Sequence, residues 1–199
     1  MINKEAKIRR LEKYHDKKIL AYEKLHRFSQ EMRMAYDYDI DDNGKVHTCS
    51  ANLLNHEKYL NWNDRIVVLI CENKIWFSKS TQIILDDLLN YWLFIRTFLE
   101  KNGKVDYYPV IGEFLFGDFI EFGNSLFNAS IDFTNEEFNK PIELYRPNKD
   151  HSWKKQDYSK FLINIVGDNL EDEFLVKKIE NHPYYKKMSE MKNKKVKIS

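Results

Sequence analysis

The chain predicts an α+β domain, an antiparallel sheet with one buried helix, preceded by a long N-terminal amphipathic helix. Three observations carry this expectation. Residues 2–35 lack Gly and Pro and repeat apolar residues at spacings of three, four or seven; "YDYDIDDNGKVHTC" alternates about an Asn-Gly pair; and "STQIILDDLLNYWLFIRTFLEKNG" is apolar nearly all round.

The first helix is marked by Leu11, Tyr14, Ala21, Leu25, Phe28, Met32 and Ala35, with Lys18 interrupting the stripe. Such a face suits packing on the body or on the same helix of a second subunit. Next comes a hairpin, because Asn43-Gly44 supplies the positive φ angles that tight turns between strands require. "RIVVLIC" (65–71) and "IWFS" (75–78) read as strands about the turn "ENK", the uninterrupted apolar run suggesting a strand covered on both faces.

The segment from Ser80 and Thr81 to Asn102-Gly103 has hydroxyl cap candidates at its start and a Gly stop at its end, so it is the expected buried helix. "VDYYPVIGEFLFG" and "DFIEF" read as strands around Gly117, with Pro109 placing the first at an edge. "GNSLFNASIDF" (123–133) reads as a turn into a short helix. "PIELY" follows as a strand, then "YSKFLINIV" and "LEDEFLVKKIEN" as helices stopped by Pro183. The expected organisation is a helix over 1–36, one α+β domain over 37–184, and a basic, mobile tail over 185–199.

With 43% hydrophobic residues in 199, the chain can bury a core. No apolar run is long enough to span a bilayer and the start is charged, so the expected setting is the cytoplasm, without membrane contact. Cys49 and Cys71 form no CxxC pair, and none of the six histidines falls in a recognised metal-ligand spacing. Net charge is +1, but residues 1–35 and 185–199 hold 16 of the 32 basic and 6 of the 31 acidic residues, leaving 16 and 25 for the rest. Basic ends on an acidic body suit nucleic acid, although solvated helix faces explain them as simply.

The acidic stretch admits three readings. As a calcium loop it places Asp39, Asp41, Asn43 and Gly44 correctly but offers Ser50 where a bidentate Glu belongs. A plain hairpin accounts for the same residues. As a strand, Asp37, Asp39 and Asp41 share one face and can join a metal.

The order "WNDRIVVLI", buried helix, "VIGEFLFG", "GNSLFNASID" over about residues 60–133 resembles the class III nucleotide cyclase domain and its bacterial cyclase-like relatives. The resemblance implies a palm-type, ferredoxin-like core and a homodimer. It implies Mg or Mn at Asp64 of the Asn63-Asp64 pair, with Asp39 or Asp41 as a second carboxylate. It also implies nucleotide contacts from Gly112, Glu113, Gly123 and Asn124. Phe127 stands where the family needs an Asn to orient the ribose, and Ile131 where it needs an Arg to stabilise developing charge. No catalytic residue is assigned. The expected function is a module that has lost cyclisation and binds a nucleotide, a metal or a protein partner in bacterial or phage signalling or defence.

Two other classes compete. A metal-dependent nuclease would use Asp64 with Glu72 and Lys74, which the strand reading places in a turn. An interaction protein, an inhibitor or sensor, would present Tyr107, Tyr108, Tyr184 and Tyr185 to its partner.

Overall fold

The computed structural model describes residues 4–104, 106–139 and 172–196. The described chain is mostly helical with one two-stranded antiparallel sheet, an α+β protein in the coarse sense. Helix α1 (Lys4–Met32) leads into strands β1 (Ala35–Ile40) and β2 (Val46–Ser50), and helices α2 (His56–Asn73), α3 (Lys79–Asn102), α4 (Tyr107–Phe114) and α5 (Phe116–Asn139) follow. Helices α6 (Asp172–Glu180) and α7 (Pro183–Val196) close the described chain. No described helix is long and apolar enough to cross a membrane.

The N-terminal helix, the hairpin and the helix over 79–102 form where the sequence places them. Among the described residues the sheet does not continue beyond the hairpin. "RIVVLIC" lies in α2, "IWFS" begins in a 3-10 turn (Lys74–Trp76), and "VDYYPVIGEFLFG" and "DFIEF" lie in α4 and α5. The reason for α2 is visible upstream: Tyr59, Trp62, Ile66, Leu69 and Ile70 are buried at helical spacing, whereas Val67 and Val68 are exposed. Asn55 caps this helix by accepting the Lys58 N–H at 2.9 Å. Pro109 sits in the first turn of α4, where its missing N–H costs no helical hydrogen bond. Residues 123–133, expected as a turn and short helix, are the interior of α5. Ser78, rather than Ser80 or Thr81, caps α3, accepting the Thr81 N–H at 3.2 Å. "PIELY" and "YSKFLINIV" lie outside the described residues.

The core forms where the second half of α1 packs along α5, with α2 and α3 alongside. Ala21, Tyr22, Leu25, Phe28 and Met32 are buried, and Tyr22 stacks on Phe133 at 3.8 Å between ring centroids. Trp62 is the hub, with Trp92 edge-on at 4.4 Å, Phe119 at 4.9 Å and Phe28 at 5.8 Å. Such ring pairs contribute about 0.5–1.5 kcal/mol each beyond their area. The aromatic residues therefore serve packing: Tyr107 and Tyr108 are buried, and Tyr184 and Tyr185 pack against the core, so they form no exposed docking surface.

The basic end is helical to Val196. Lys187 pairs with Asp39 at 2.6 Å and Lys192 with Asp106. These contacts, with Ile179 and Leu175 in the core, hold the segment after residue 172 against the hairpin and α4.

Candidate metal centre

The hairpin turn is built by Asp41. Its Oδ1 accepts the N–H of Asn43 and of Lys45, each at 2.9 Å, while its carbonyl accepts the Gly44 N–H at 2.9 Å. Gly44 has φ +78° and no described non-Gly residue has positive φ, so only Gly uses the left-handed region here. Five residues, 41–45, thus connect the strands, with an αL glycine among them, rather than the two-residue form typical of Asn-Gly.

The ladder is irregular one step away. Asp37 pairs with Thr48 and Asp39 with His47, leaving Tyr38 as the extra residue of a bulge. A bulge breaks the period-two alternation, so Asp37, Asp39 and Asp41 do not share a face. Asp37 accepts the Thr48 hydroxyl at 2.7 Å, Asp39 faces Lys187, and Tyr38 donates its hydroxyl to Glu113 Oε2 at 2.5 Å.

Glu113 is the focus of the site. It lies on α4, whose close approach to β2 depends on Gly112: a β-carbon there would meet Leu53 Cβ at 2.9 Å and Cys49 Cβ at 3.1 Å. His47 on β2 presents Nδ1 to Glu113 Oε2 at 3.0 Å and Oε1 at 3.2 Å. His182, in the turn between α6 and α7, places Nε2 3.5 Å from Glu113 Oε2. Its carbonyl accepts the Lys186 N–H at 3.1 Å and its Nδ1 the Tyr184 N–H at 3.3 Å, so it caps α7. The two imidazole rings meet edge-on at 4.8 Å.

His47, Glu113 and His182 each offer a ligand atom within 4.8 Å of the others, the one such grouping of three His, Cys, Asp or Glu among the described residues. Their side chains are 2%, 23% and 8% exposed, a water-poor site in which the carboxylate is the most accessible member. Burial raises the Glu113 pKa, but hydrogen bonds from His182, Tyr38 and His47 outweigh it and hold the carboxyl at about 2. Burial, then the hydrogen bond to Glu113, pushes the Tyr38 phenol far up, so it acts as a donor. Burial, then the charges of Glu113 and Asp37, pushes the neighbouring Cys49 thiol up to about 12, so it stays protonated and is no thiolate ligand.

Ligands about 2.0–2.1 Å from a tetrahedral zinc stand about 3.3–3.4 Å apart, close to the 3.0 and 3.5 Å between Glu113 and the two imidazole nitrogens. A cation held by His47 Nδ1 and His182 Nε2 would leave the ring protons on His47 Nε2 and His182 Nδ1. The first change suits the site: His47 Nε2 is buried without a hydrogen-bond partner and lies 3.8 Å from Asp41 Oδ2. The second gives up the Tyr184 cap, costing about 1 kcal/mol, a small loss beside the strength of a metal–imidazole bond.

Of the residues the sequence nominated, Glu113, Gly112 and Asp41 come together here. Asp64 does not: it is exposed on α2, beside Asn63. Asp39 is engaged by Lys187. Gly123 lies where α5 crosses α1, an added β-carbon standing 3.0 Å from the Ser29 carbonyl, and Asn124 accepts from Arg33 at 3.4 Å. Phe127 packs on His26 and under Arg33, and Lys74, the nuclease candidate, pairs with Asp86 at 2.5 Å. His47, His182 and Tyr38 escaped sequence reading because the three ligands come from three separate elements, with no spacing to mark them. No protein-family model, no characterised protein and no solved structure matches this chain.

Proposed function

We propose that this protein is a metal-binding module whose centre is His47, Glu113 and His182. The carrying observation is the convergence of two imidazoles and one ionised carboxylate from three elements on one point, with His47 Nε2 buried and unpartnered beside it. Two nitrogens and one oxygen suit zinc or ferrous iron, whereas magnesium prefers an all-oxygen shell. The Mg or Mn at Asp64 that the cyclase resemblance implies is replaced in this reading by a borderline cation at a different place. Nucleotide cyclisation is no part of it, because Phe127 and Ile131 supply neither donor that ring closure needs.

A cation here ties the hairpin, α4 and the α6–α7 turn together, so it acts first on the fold and on how the C-terminal helices sit. Three protein ligands would leave a fourth position for water or a substrate atom. The test is to titrate the metal-free full chain with Zn²⁺, Mn²⁺ and Mg²⁺ while following thermal unfolding. Zn²⁺ raises the melting temperature most, because a ligand bound only by the native state stabilises it by about 4 kcal/mol at a thousandfold excess over Kd. Glu113→Gln and His182→Ala lose that rise. An unchanged melting temperature with every cation, or an undiminished rise in both variants, rejects the reading.

A further inference from the structure

We infer that Asp41 is a positioning residue of this centre: it accepts a hydrogen bond from His47 Nε2–H when Nδ1 binds the cation, and so sets cation affinity from the hairpin turn. The inference rests on the metal reading above and adds a member that the ligand grouping does not contain.

His47 is held on both sides. Nδ1 faces Glu113 at 3.0 Å and Nε2 faces Asp41 Oδ2 at 3.8 Å. The two nitrogens of an imidazole point away from each other, so a cation on Nδ1, shared with Glu113 and His182, is out of reach of Asp41. Asp41 therefore acts through His47 rather than as a fourth ligand. With Nδ1–H donated to Glu113, a neutral His47 turns an unprotonated Nε2 toward a carboxylate, and that buried nitrogen has no hydrogen-bond partner. Coordination at Nδ1 would reverse the tautomer, giving an Nε2–H that needs an acceptor, and Asp41 Oδ2 stands 3.8 Å from it.

The two oxygens of Asp41 divide the work. Oδ1 is committed to the turn, accepting the Asn43 and Lys45 N–H groups. Oδ2 is the arm toward His47. The turn thus fixes Asp41 before any cation arrives, and His47 has little freedom at 2% exposure. Carboxylate acceptors behind metal-bound histidines fix the tautomer and raise ligand basicity, and losing one weakens metal affinity about 10–100-fold. An unpaired Nε2–H in a buried site would carry the same penalty as any orphaned donor.

The division of labour makes the test clean. Asp41→Asn keeps its one oxygen for the turn and puts an amide donor where Oδ2 stood. Asp41→Ser is the second variant, because a hydroxyl also accepts the turn N–H groups and lacks the arm altogether. Zn²⁺ affinity is measured by competition with a chelator for the unsubstituted full chain and both variants, together with metal-free melting temperature. Long-range proton–nitrogen NMR of the His47 ring is recorded with and without Zn²⁺.

The expected result is a metal-free melting temperature that changes little, zinc affinity about 10–100-fold weaker in both variants, and a zinc-bound His47 carrying its proton on Nε2. Variants that bind zinc within about twofold of the unsubstituted chain overturn the inference and leave the metal reading standing. A zinc-bound His47 with its proton on Nδ1 also overturns it. An unsubstituted chain that binds no zinc overturns both.

Discussion

Gly112 and Leu53 are so close that a methyl group on Gly112 would stand 2.9 Å from Leu53 Cβ, and only 3.1 Å from Cys49 Cβ beyond it. Both neighbours are fully buried, so neither has room to yield. This contact sets the gap between α4 and the hairpin, and Glu113 is the next residue along. Gly112→Ala is therefore expected to destabilise by about 1–3 kcal/mol, the usual cost of overpacking. It is also expected to weaken zinc binding, since Glu113 moves with the helix. Urea unfolding and a zinc titration measure the two effects; a variant as stable and as zinc-responsive as the unsubstituted chain would mean that α4 has slack the packing does not show.

Tyr91 and Asp118 give the core a pH dependence of known sign. Tyr91 donates to Asp118 Oδ2 at 2.6 Å across a buried α3–α5 contact. Burial raises the Asp118 carboxyl to about 6, the Tyr91 hydrogen bond opposing the rise and the Glu121 charge adding to it. Because the folded-state value lies above the unfolded one, near 3.9, the native state binds the extra proton between about pH 4 and 6. Stability from this group is thus greatest below that window and falls as pH rises through it, by on the order of 2 kcal/mol. Asp118→Asn is expected to be flatter than the unsubstituted chain over this range by that amount. Unfolding free energies that change equally between pH 4.5 and 7 in both proteins would show that Asp118 is not the group responsible.

Tyr38→Phe tests the hydrogen bonds around Glu113 without touching a ligand. It removes the 2.5 Å donor to Oε2 and leaves a partly buried carboxylate one hydrogen bond short. Hydrogen bonds to charged groups contribute about 1.5–3 kcal/mol, so a loss within that range is expected in the metal-free protein. Zinc restores part of the loss, because the cation neutralises the same carboxylate. A variant with unchanged metal-free stability would place the Tyr38 hydroxyl outside the network.

How much of this was legible in the sequence depends on whether the signal was local. Helix α1, helix α3 and the hairpin have periodicity and turn chemistry within one window, and they form as read. The run from Ile66 to Cys71 fits strand and helix equally; Tyr59 and Trp62, two turns and one turn upstream, decide for helix. "VIGEFLFG" reads as a strand ending at Gly117, yet Gly112 serves close packing and Gly117 lies in the first turn of α5. The site followed the same rule. Asp41 and Glu113 were picked out for reasons of local pattern, and the bulge at Tyr38 redirected the aspartates that pattern had aligned. His47 and His182 become partners only through the tertiary fold, which no spacing encodes.

The docking of the C-terminal helices separates apolar from ionic contributions. Lys187–Asp39 and Lys192–Asp106 are conspicuous, but both lysines are largely exposed, and exposed ion pairs contribute about 0–1 kcal/mol. Ile179, by contrast, is fully buried in the same core as Trp62 and Leu85. Ile179→Ala is expected to cost about 2–5 kcal/mol from lost burial and the cavity left behind, and Lys187→Ala or Lys192→Ala far less, because their ion pairs are exposed to solvent. Because His182 follows Ile179 by three residues, Ile179→Ala should also loosen the third ligand and blunt the zinc response, while the lysine variants keep it. Equilibrium unfolding with and without Zn²⁺ measures all of these. A lysine variant that costs as much as Ile179→Ala would reverse the order and make the basic face, rather than the buried stripe, what seats α7 against the hairpin.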